Sequence, residues 1–348
     1  MNDELSSVDY VVQNNDFISH TVHRHELPVT DQKVEVIHED EDWVVVDKPP
    51  SIPVHPCGRY RHNTILFILA KEAGYRQLHT VHRLDRLTSG VLIFSKSSAK
   101  ARVMEQLIRE REVEKEYLCR VTGEFPDTEV VCEQPLEVIS YKIGLVVVDQ
   151  KGKECKTTFR RVSYKDGVSI VRCLPKSGRM HQIRVHLQFL GFPIANDPLY
   201  NSPIFGPEKG RNGEFGKSRD KLIEDLIKHH TVENWIETDE YHQSKLPEHG
   251  DLKDRVQDDH SDEKGDAVDG VIDKVEDSNQ HVTEAGEESV QDGGSVCVEE
   301  DAKDPHCSEC RTVYRDPPPA SLTMFLHALR YSGQGWSYST PTPAWAQL

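Results

Sequence analysis

No stretch of this chain keeps apolar residues together for the length a membrane crossing needs. Its first residues show neither an apolar signal segment nor the Arg-rich, acid-poor character of a transit peptide. Those absences predict no membrane partner and a place in the cytoplasm or nucleus, with mitochondria disfavoured. The eight cysteines, Cys57, Cys119, Cys132, Cys155, Cys173, Cys297, Cys307 and Cys310, are scattered, as suits a reducing compartment. A Gly-x-x-x-x-Gly-Lys-Ser/Thr phosphate loop and a Gly-x-Ser-x-Gly nucleophile elbow are both missing, which removes support from nucleotide hydrolysis and ordinary esterase chemistry. Apolar residues make up only 36% of the 348, little for a fully packed chain of this size, so part of the sequence is expected to stay outside any core.

A surplus of positive charge is also lacking, since the formal charge is −17, but the acidity is local. Asp251 to Asp304 holds 19 acidic against 5 basic residues, whereas Cys57 to Gly123 holds 13 basic against 7 acidic, and Lys151 to Leu190 holds 10 against 2. Two basic stretches around candidate catalytic residues point to a polyanionic substrate, although either stretch alone is also what a solvated basic face looks like.

Residues 1–33 are polar, rich in His and too few for a core. Two β-branched runs, Val34 to Ile37 and Trp43 to Val46, flank the acidic turn Glu39-Asp40-Glu41-Asp42 and predict a hairpin. A short helix is expected over Thr64 to Ala73. A second runs from Ser97 to Arg111, with Val103 and Leu107 on one face and Met104 and Ile108 beside them. Strands follow at Tyr117–Val121, Gly144–Val148, Thr157–Val162 and Val168–Cys173. A helix from Arg179 closes at Gly191, with Met180, Ile183, Leu187 and Leu190 inward. Strands outnumber helices and follow one another like hairpins, which predicts an α+β fold: a mixed, largely antiparallel sheet with flanking helices. The expected organisation is a core over 34–205 and an acidic, mostly disordered insertion over 206–304, relieved by a helix at Asp220–His229. A segment over 305–348 then returns to the core.

The stretch His82-Arg83-Leu84-Asp85-Arg86-Leu87-Thr88-Ser89-Gly90 sets one carboxylate between two arginines before an apolar run. A lone Asp in a loop is usually a turn former. Arg83 and Arg86 would keep this one ionised even where water is scarce, and a dry ionised carboxylate is a nucleophile or base. Arg184, with His181 and Gln188 about one turn away, can reach a carboxylate bidentately; by itself it reads as a solvated helix residue. Tyr117 can stack on a planar ligand or accept a proton, and alone reads as a core tyrosine. The histidines His79, His82, His20, His23 and His25 lack ligand partners at a recognised spacing. Cys307-Ser308-Glu309-Cys310 is half a zinc knuckle, with Cys297 nearest in sequence as a third ligand. Free thiols are preferred there over a small structural metal site, so no metal is expected.

The Asp85 loop, Glu114-Lys115-Glu116-Tyr117, Ser177-Gly178-Arg179-Met180-His181-Gln182-Ile183-Arg184-Val185-His186 and Leu190-Gly191-Phe192-Pro193-Ile194-Ala195-Asn196-Asp197 resemble, in order and spacing, the signatures of the RluA-type RNA pseudouridine synthases. Ile52 to Cys57, Asn63-Thr64 and Met324 to Tyr331 are similar to an animal subgroup of that family. The resemblance covers about Val34 to Tyr200. It implies an isomerase that detaches uridine at its N1–C1′ bond, rotates the base and rejoins it through C5, with RNA as partner and no cofactor. Carried over residue by residue, it makes Asp85 the essential carboxylate and Tyr117 the platform for the target base. Arg184 is then the partner of Asp85, and Arg83 takes the place of the extruded nucleotide. Arg86, Arg179 and His181 are expected to contact RNA. Met180 departs from the threonine of many relatives, and Tyr10 to Ile18 with Thr21 to Glu26 resembles only the tail of an S4-type RNA-binding domain. A monomer is expected. A non-catalytic RNA-binding protein on the same scaffold is the rival reading, and the acidic stretch is expected either to recruit a protein or to compete with RNA for the basic cleft. Whether messenger, transfer or ribosomal RNA is modified is left open by the resemblance.

Overall fold

A computed structural model describes residues 6–7, 9–17, 25–229, 307, 310 and 317–347. The hairpin forms from β1 (Glu35–Glu39) and β2 (Trp43–Lys48), which pair antiparallel across the acidic turn. Asp40 closes that turn by accepting the amides of Asp42 and Trp43 on one carboxylate oxygen. After the first helix, α1 (Ile65–Glu72), the two-residue strand β3 (His79–Thr80) leads into the Asp85 loop. The loop then runs into β4 (Ser89–Ser95), which is buried along nearly its whole length.

Helix α2 (Ser98–Arg109) starts where the Ser97 hydroxyl accepts the Lys100 amide. Its inward residues are Ala101 and Met104. Val103, expected on the core face, is 53% exposed, because the apolar stripe the helix presents to β4 is centred a residue further round. The remaining strands of the main body are β5 (Glu114–Thr122), β6 (Val130–Cys132), β7 (Leu136–Ser140), β8 (Leu145–Val148), β9 (Thr157–Lys165) and β10 (Val168–Pro175). Helix α3 (Gln182–Phe189) follows them.

The central path of the main sheet is β1-β2-β4-β11-β5-β10-β9-β6, with β3 on β4 and β12 on β11, while β7 and β8 pair separately. Strand β11 (Leu326–Gly333) comes from the far end of the chain and fills the middle of the sheet. It lies parallel to β4 and antiparallel to β5, and continues into β12 (Trp336–Ser339). Every other pairing is antiparallel, so the α+β reading from the sequence holds. The insertion of β11 explains Gly90. At φ +109° its backbone passes so close to Ala328 that a Cβ would sit 2.2 Å from the Ala328 carbonyl oxygen.

Past the expected boundary at 205 the chain stays packed. Helix α4 (Arg219–His229) buries Leu222 and Leu226 in a second apolar cluster with Phe205, Tyr200, Leu199 and Val185. The core therefore extends to 229, because the helix expected at Asp220–His229 has an apolar stripe with a surface to cover. The acidic stretch from Asp251 to Asp304 lies outside the described residues. No helix among the described residues is long and apolar enough to cross a membrane.

Candidate active site

The Asp85 loop is pinned at three points. His82 Nε2 accepts the Ile93 amide at 3.1 Å, the Thr88 amide donates to the Asp85 carbonyl at 3.0 Å, and Lys48 Nζ donates to the Arg86 carbonyl at 2.9 Å. Lys48 is fully buried and also donates to Pro49 and Ile52, so three carbonyls take its three ammonium hydrogens. Burial pushes this lysine down to about 7, while the Asp85 carboxylate pulls it back up. The first strand after the hairpin turn thus fixes the loop that carries the acid, a role the sequence pattern Asp47-Lys48-Pro49 did not reveal.

Opposite the loop stands the N-terminal end of α3. The helix begins at Gln182, later than the sequence pattern suggests, because His181 adopts a left-handed conformation at φ 55°. Met180 is consequently turned outward, 38% exposed, and is not a core residue. Gln182 folds back on the turn before it. Its Oε1 accepts the Ser177 hydroxyl and the Arg179 amide, and its Nε2 donates to the Lys156 carbonyl and Thr157 Oγ1. Nor does α3 have a solvated face, since Gln182 to Gln188 are all buried.

Arg184 is the hinge of the site. Its Nη1 donates to Asp85 Oδ2 at 3.1 Å, while Nε and Nη2 grip both oxygens of Asp197 at 2.7 and 2.9 Å. The bidentate partner is thus Asp197, not Asp85, because the guanidinium edge with two parallel hydrogens faces the 194–200 turn. The guanidinium carbon lies 4.9 Å from the centre of the Tyr200 ring. His181 Nε2 is 3.6 Å from Asp85 Oδ2, and its Nδ1 meets the Tyr200 hydroxyl at 2.9 Å. The Tyr200 oxygen also accepts the Val146 amide at 3.1 Å, so it ties His181 to β8.

Burial would raise the Asp85 carboxyl, but the positive charge of His181 when that ring is protonated, the charges of Arg184 and Arg83, and the Arg184 hydrogen bond outweigh it and hold it below the ordinary carboxylate value. Burial, with Arg184 adding to it, drives His181 down to about 4, so at neutral pH the imidazole is uncharged and Arg184 is the cation that keeps Asp85 ionised. Arg86 does not share that task. Its guanidinium lies over the Tyr60 ring, 5.6 Å from the centroid, and faces a neighbouring cavity.

A cavity of about 320 Å³ opens over these groups, lined by Arg83, Asp85, Tyr117, Arg179, His181 and Arg184, with Met180 and Leu326 among its apolar walls. Tyr117 forms one side, and its hydroxyl meets that of Tyr331 at 2.5 Å. Tyr331, from β11, stacks on His82, with ring centres 4.8 Å apart. The last long strand thereby braces both the loop and the tyrosine. Burial raises the Tyr117 phenol far above its ordinary value, so this group stays protonated and serves as a surface rather than a base. Arg83, exposed at the mouth, also lines the second cavity of about 560 Å³, together with Arg59, Arg86, Tyr60 and Lys142. Six of the seven residues singled out in the sequence thus share one cavity, with Arg86 next door. Lys48, Gln182, Asp197, Tyr200 and Tyr331 were not assigned roles. Asp197, Gln182 and Tyr331 lay inside quoted stretches without a role of their own, while Lys48 and Tyr200 carried no local signal, since their partners Arg86 and Val146 are distant in sequence.

Residues 42–189 match the family model for RNA pseudouridylate synthase. RNA pseudouridine synthase 7 of Oryza sativa subsp. japonica is 36% identical over 100% of this chain and 78% of its own length. The chain belongs to the RNA pseudouridylate synthase family. Human pseudouridylate synthase RPUSD2 is 47% identical over 99% of this chain and 64% of its own, so the chain spans less than two thirds of that relative. The Saccharomyces cerevisiae protein tRNA pseudouridine(32) synthase, mitochondrial, is 38% identical over 99% of the chain and 66% of its own. A mitochondrial relative this similar runs against the expectation that disfavoured mitochondria. That expectation rested on the composition of the first residues alone, and compartment is not legible there.

Proposed function

We propose that this chain converts uridine to pseudouridine in RNA, with Asp85 as the catalytic carboxylate. The observation that carries the reading is an ionised Asp85 at the floor of a cavity, about a quarter exposed, with Arg184 bonded to only one of its oxygens. The carboxylate keeps lone pairs for an incoming atom. The cavity lies at the low end of the roughly 300–1,000 Å³ usual for ligand sites, which suits one extruded nucleoside rather than a helical segment. Tyr117 supplies a flat wall for the base, and Arg83 at the mouth occupies the position from which a side chain can fill the gap an extruded nucleotide leaves. The neighbouring basic cavity with Arg59, Arg86 and Lys142 suits the phosphates of the flanking strand.

The reaction is an isomerisation, so nothing beyond the RNA is consumed. The N1–C1′ bond breaks, a C5–C1′ bond forms, the C5 proton leaves and N1 gains one. Asp85 acts covalently on sugar or base to hold the detached fragment, Arg184 keeps it ionised before the attack, and Tyr117 holds the ring while it turns. Pseudouridine mapping on RNA from cells lacking the protein, rescued with wild type or Asp85→Ala, tests this. Sites restored by wild type alone support the enzyme and name its RNA. Sites restored equally by the variant would leave an RNA-binding scaffold instead.

A further inference from the structure

Away from the cleft, His25 meets Cys307 and Cys310. The His25 Nε2 lies 3.5 Å from Cys307 Sγ and 3.3 Å from Cys310 Sγ, and the three atoms fall within 4.8 Å of one another. All three residues are half-buried. The sequence offered only Cys297, outside the described residues, as a third donor beside the Cys307-Ser308-Glu309-Cys310 pair. The fold supplies His25 from 282 positions away.

We propose that His25, Cys307 and Cys310 bind a zinc ion. Tetrahedral zinc with Zn–S about 2.3 Å and Zn–N about 2.0–2.1 Å holds sulfur and nitrogen about 3.5 Å apart, which is the spacing seen here. Hydrogen bonding alone accounts for the cluster poorly. An imidazole nitrogen has one lone pair and can accept one thiol, whereas two sulfurs converge on this one. A shared cation resolves that, with both thiols deprotonated and a water in the fourth position. The two-residue gap between the cysteines is the usual spacing of a structural zinc half-site.

The site would act as a clamp. Immediately after His25, the Glu26 carboxylate accepts the amides of His62 and Asn63 at 2.7 and 2.8 Å, and Leu27 is buried against the basic cavity that contains Arg83 and Arg86. Joining this early segment to residues 307–310 fixes where the late part of the chain returns before it enters the sheet as β11, and β11 carries Tyr331 to the active site. A cross-link closing so long a loop constrains the unfolded chain strongly.

The test uses the full chain, purified under reducing conditions without chelator. Elemental analysis is expected to find about one zinc per chain. Cobalt(II) added to the metal-free protein should give an intense thiolate-to-cobalt charge-transfer absorption. Cys307→Ser, Cys310→Ser and His25→Ala should each lose the zinc and that absorption, while His25→Cys, which keeps a zinc-binding donor, should retain both. Absence of the cobalt–thiolate band in the wild-type protein would overturn the proposal without recourse to any variant. So would zinc that survives the three substitutions made together.

Discussion

Asp85 and Asp197 lie on two sides of one guanidinium, and the contrast between their surroundings separates the carboxylate proposed to react from a structural one. Asp197 is completely enclosed and accepts four hydrogen bonds, two from Arg184 and two from the amides of Leu199 and Tyr200. Both are held below the ordinary carboxylate value against the upward push of burial, Asp197 by that full set of donors and Asp85 largely by charge. Asp85 receives one Arg184 hydrogen and faces the cavity. The same residue type on the same arginine therefore has two fates, decided by how many lone pairs the protein has already used. Arg184 is aimed at Asp85 because Asp197 holds its other edge.

The sharpest way to break this comparison is to neutralise each acid in turn. Asp85→Asn is expected to lower the rate of pseudouridine formation by about 10,000-fold, with little change in melting temperature, because in the proposed reaction the group acts covalently and it makes few contacts in the fold. A single-turnover assay on an unmodified RNA that carries a target uridine, run beside a thermal melt, checks both halves. Asp197→Asn should do the reverse in emphasis. It leaves Arg184 partly unpaired inside the protein and is expected to cost about 3–5 kcal/mol in urea unfolding, with activity falling as Arg184 loses its orientation. If Asp197→Asn were as stable as wild type, or Asp85→Asn as active, the division of roles would be wrong.

Acid should expose the same design more gradually. Burial holds His82 down to about 3 and His181 and His327 to about 4, against an ordinary value of 6.5. Between those values the unfolded chain binds more protons than the folded one. The stability these rings allow is therefore present above pH 6.5 and is lost as pH falls from 6.5 toward 4, by up to about 3 kcal/mol per ring. Asp85 and Asp197, with folded values below the ordinary 3.8, add a further loss only below that pH. Melting temperature across pH 4 to 8 is expected to fall most steeply in the histidine window. Activity should show no inflection from His181 near neutrality.

The smallest effect belongs to Met180→Thr. The side chain lines the cavity but is exposed, so stability should change by less than about 0.5 kcal/mol. Any consequence should appear in KM for RNA rather than in kcat.

Much of the site was readable in the chain because its motifs are local. The run around Asp85 combines a carboxylate, flanking arginines and an apolar strand start within nine residues, and the hairpin, α1 and the strands at 145–148, 157–165 and 168–175 follow alternation or helical spacing that neighbouring residues impose. The errors arise where local pattern does not fix direction. Val103 and Met180 were placed inward by periodicity, but periodicity gives a face and not its rotation, and a left-handed residue at His181 resets the helix start. The pairing of Arg184 with Asp85 came only from the resemblance, because nothing adjacent in sequence declares that α3 is buried all round. Arg86 was paired with Asp85 because it is next to it in sequence, while its side chain turns to Tyr60.

The sequence by itself determined the candidates, putting forward Asp85 and, through its resemblance, Tyr117 and Arg184, together with basic stretches that suit a polyanion. Tertiary structure decided which of two acids is left open, that Lys48 and Tyr331 brace the loop and the tyrosine, and that His25 finds two cysteines near the other end of the chain. The physical reason is range. Alternation, caps and motif spacing act over a few residues, whereas the lone pairs left to Asp85 depend on contacts made by β2, α3, the 194–200 turn and β11, which meet only when the last long strand enters the middle of the sheet.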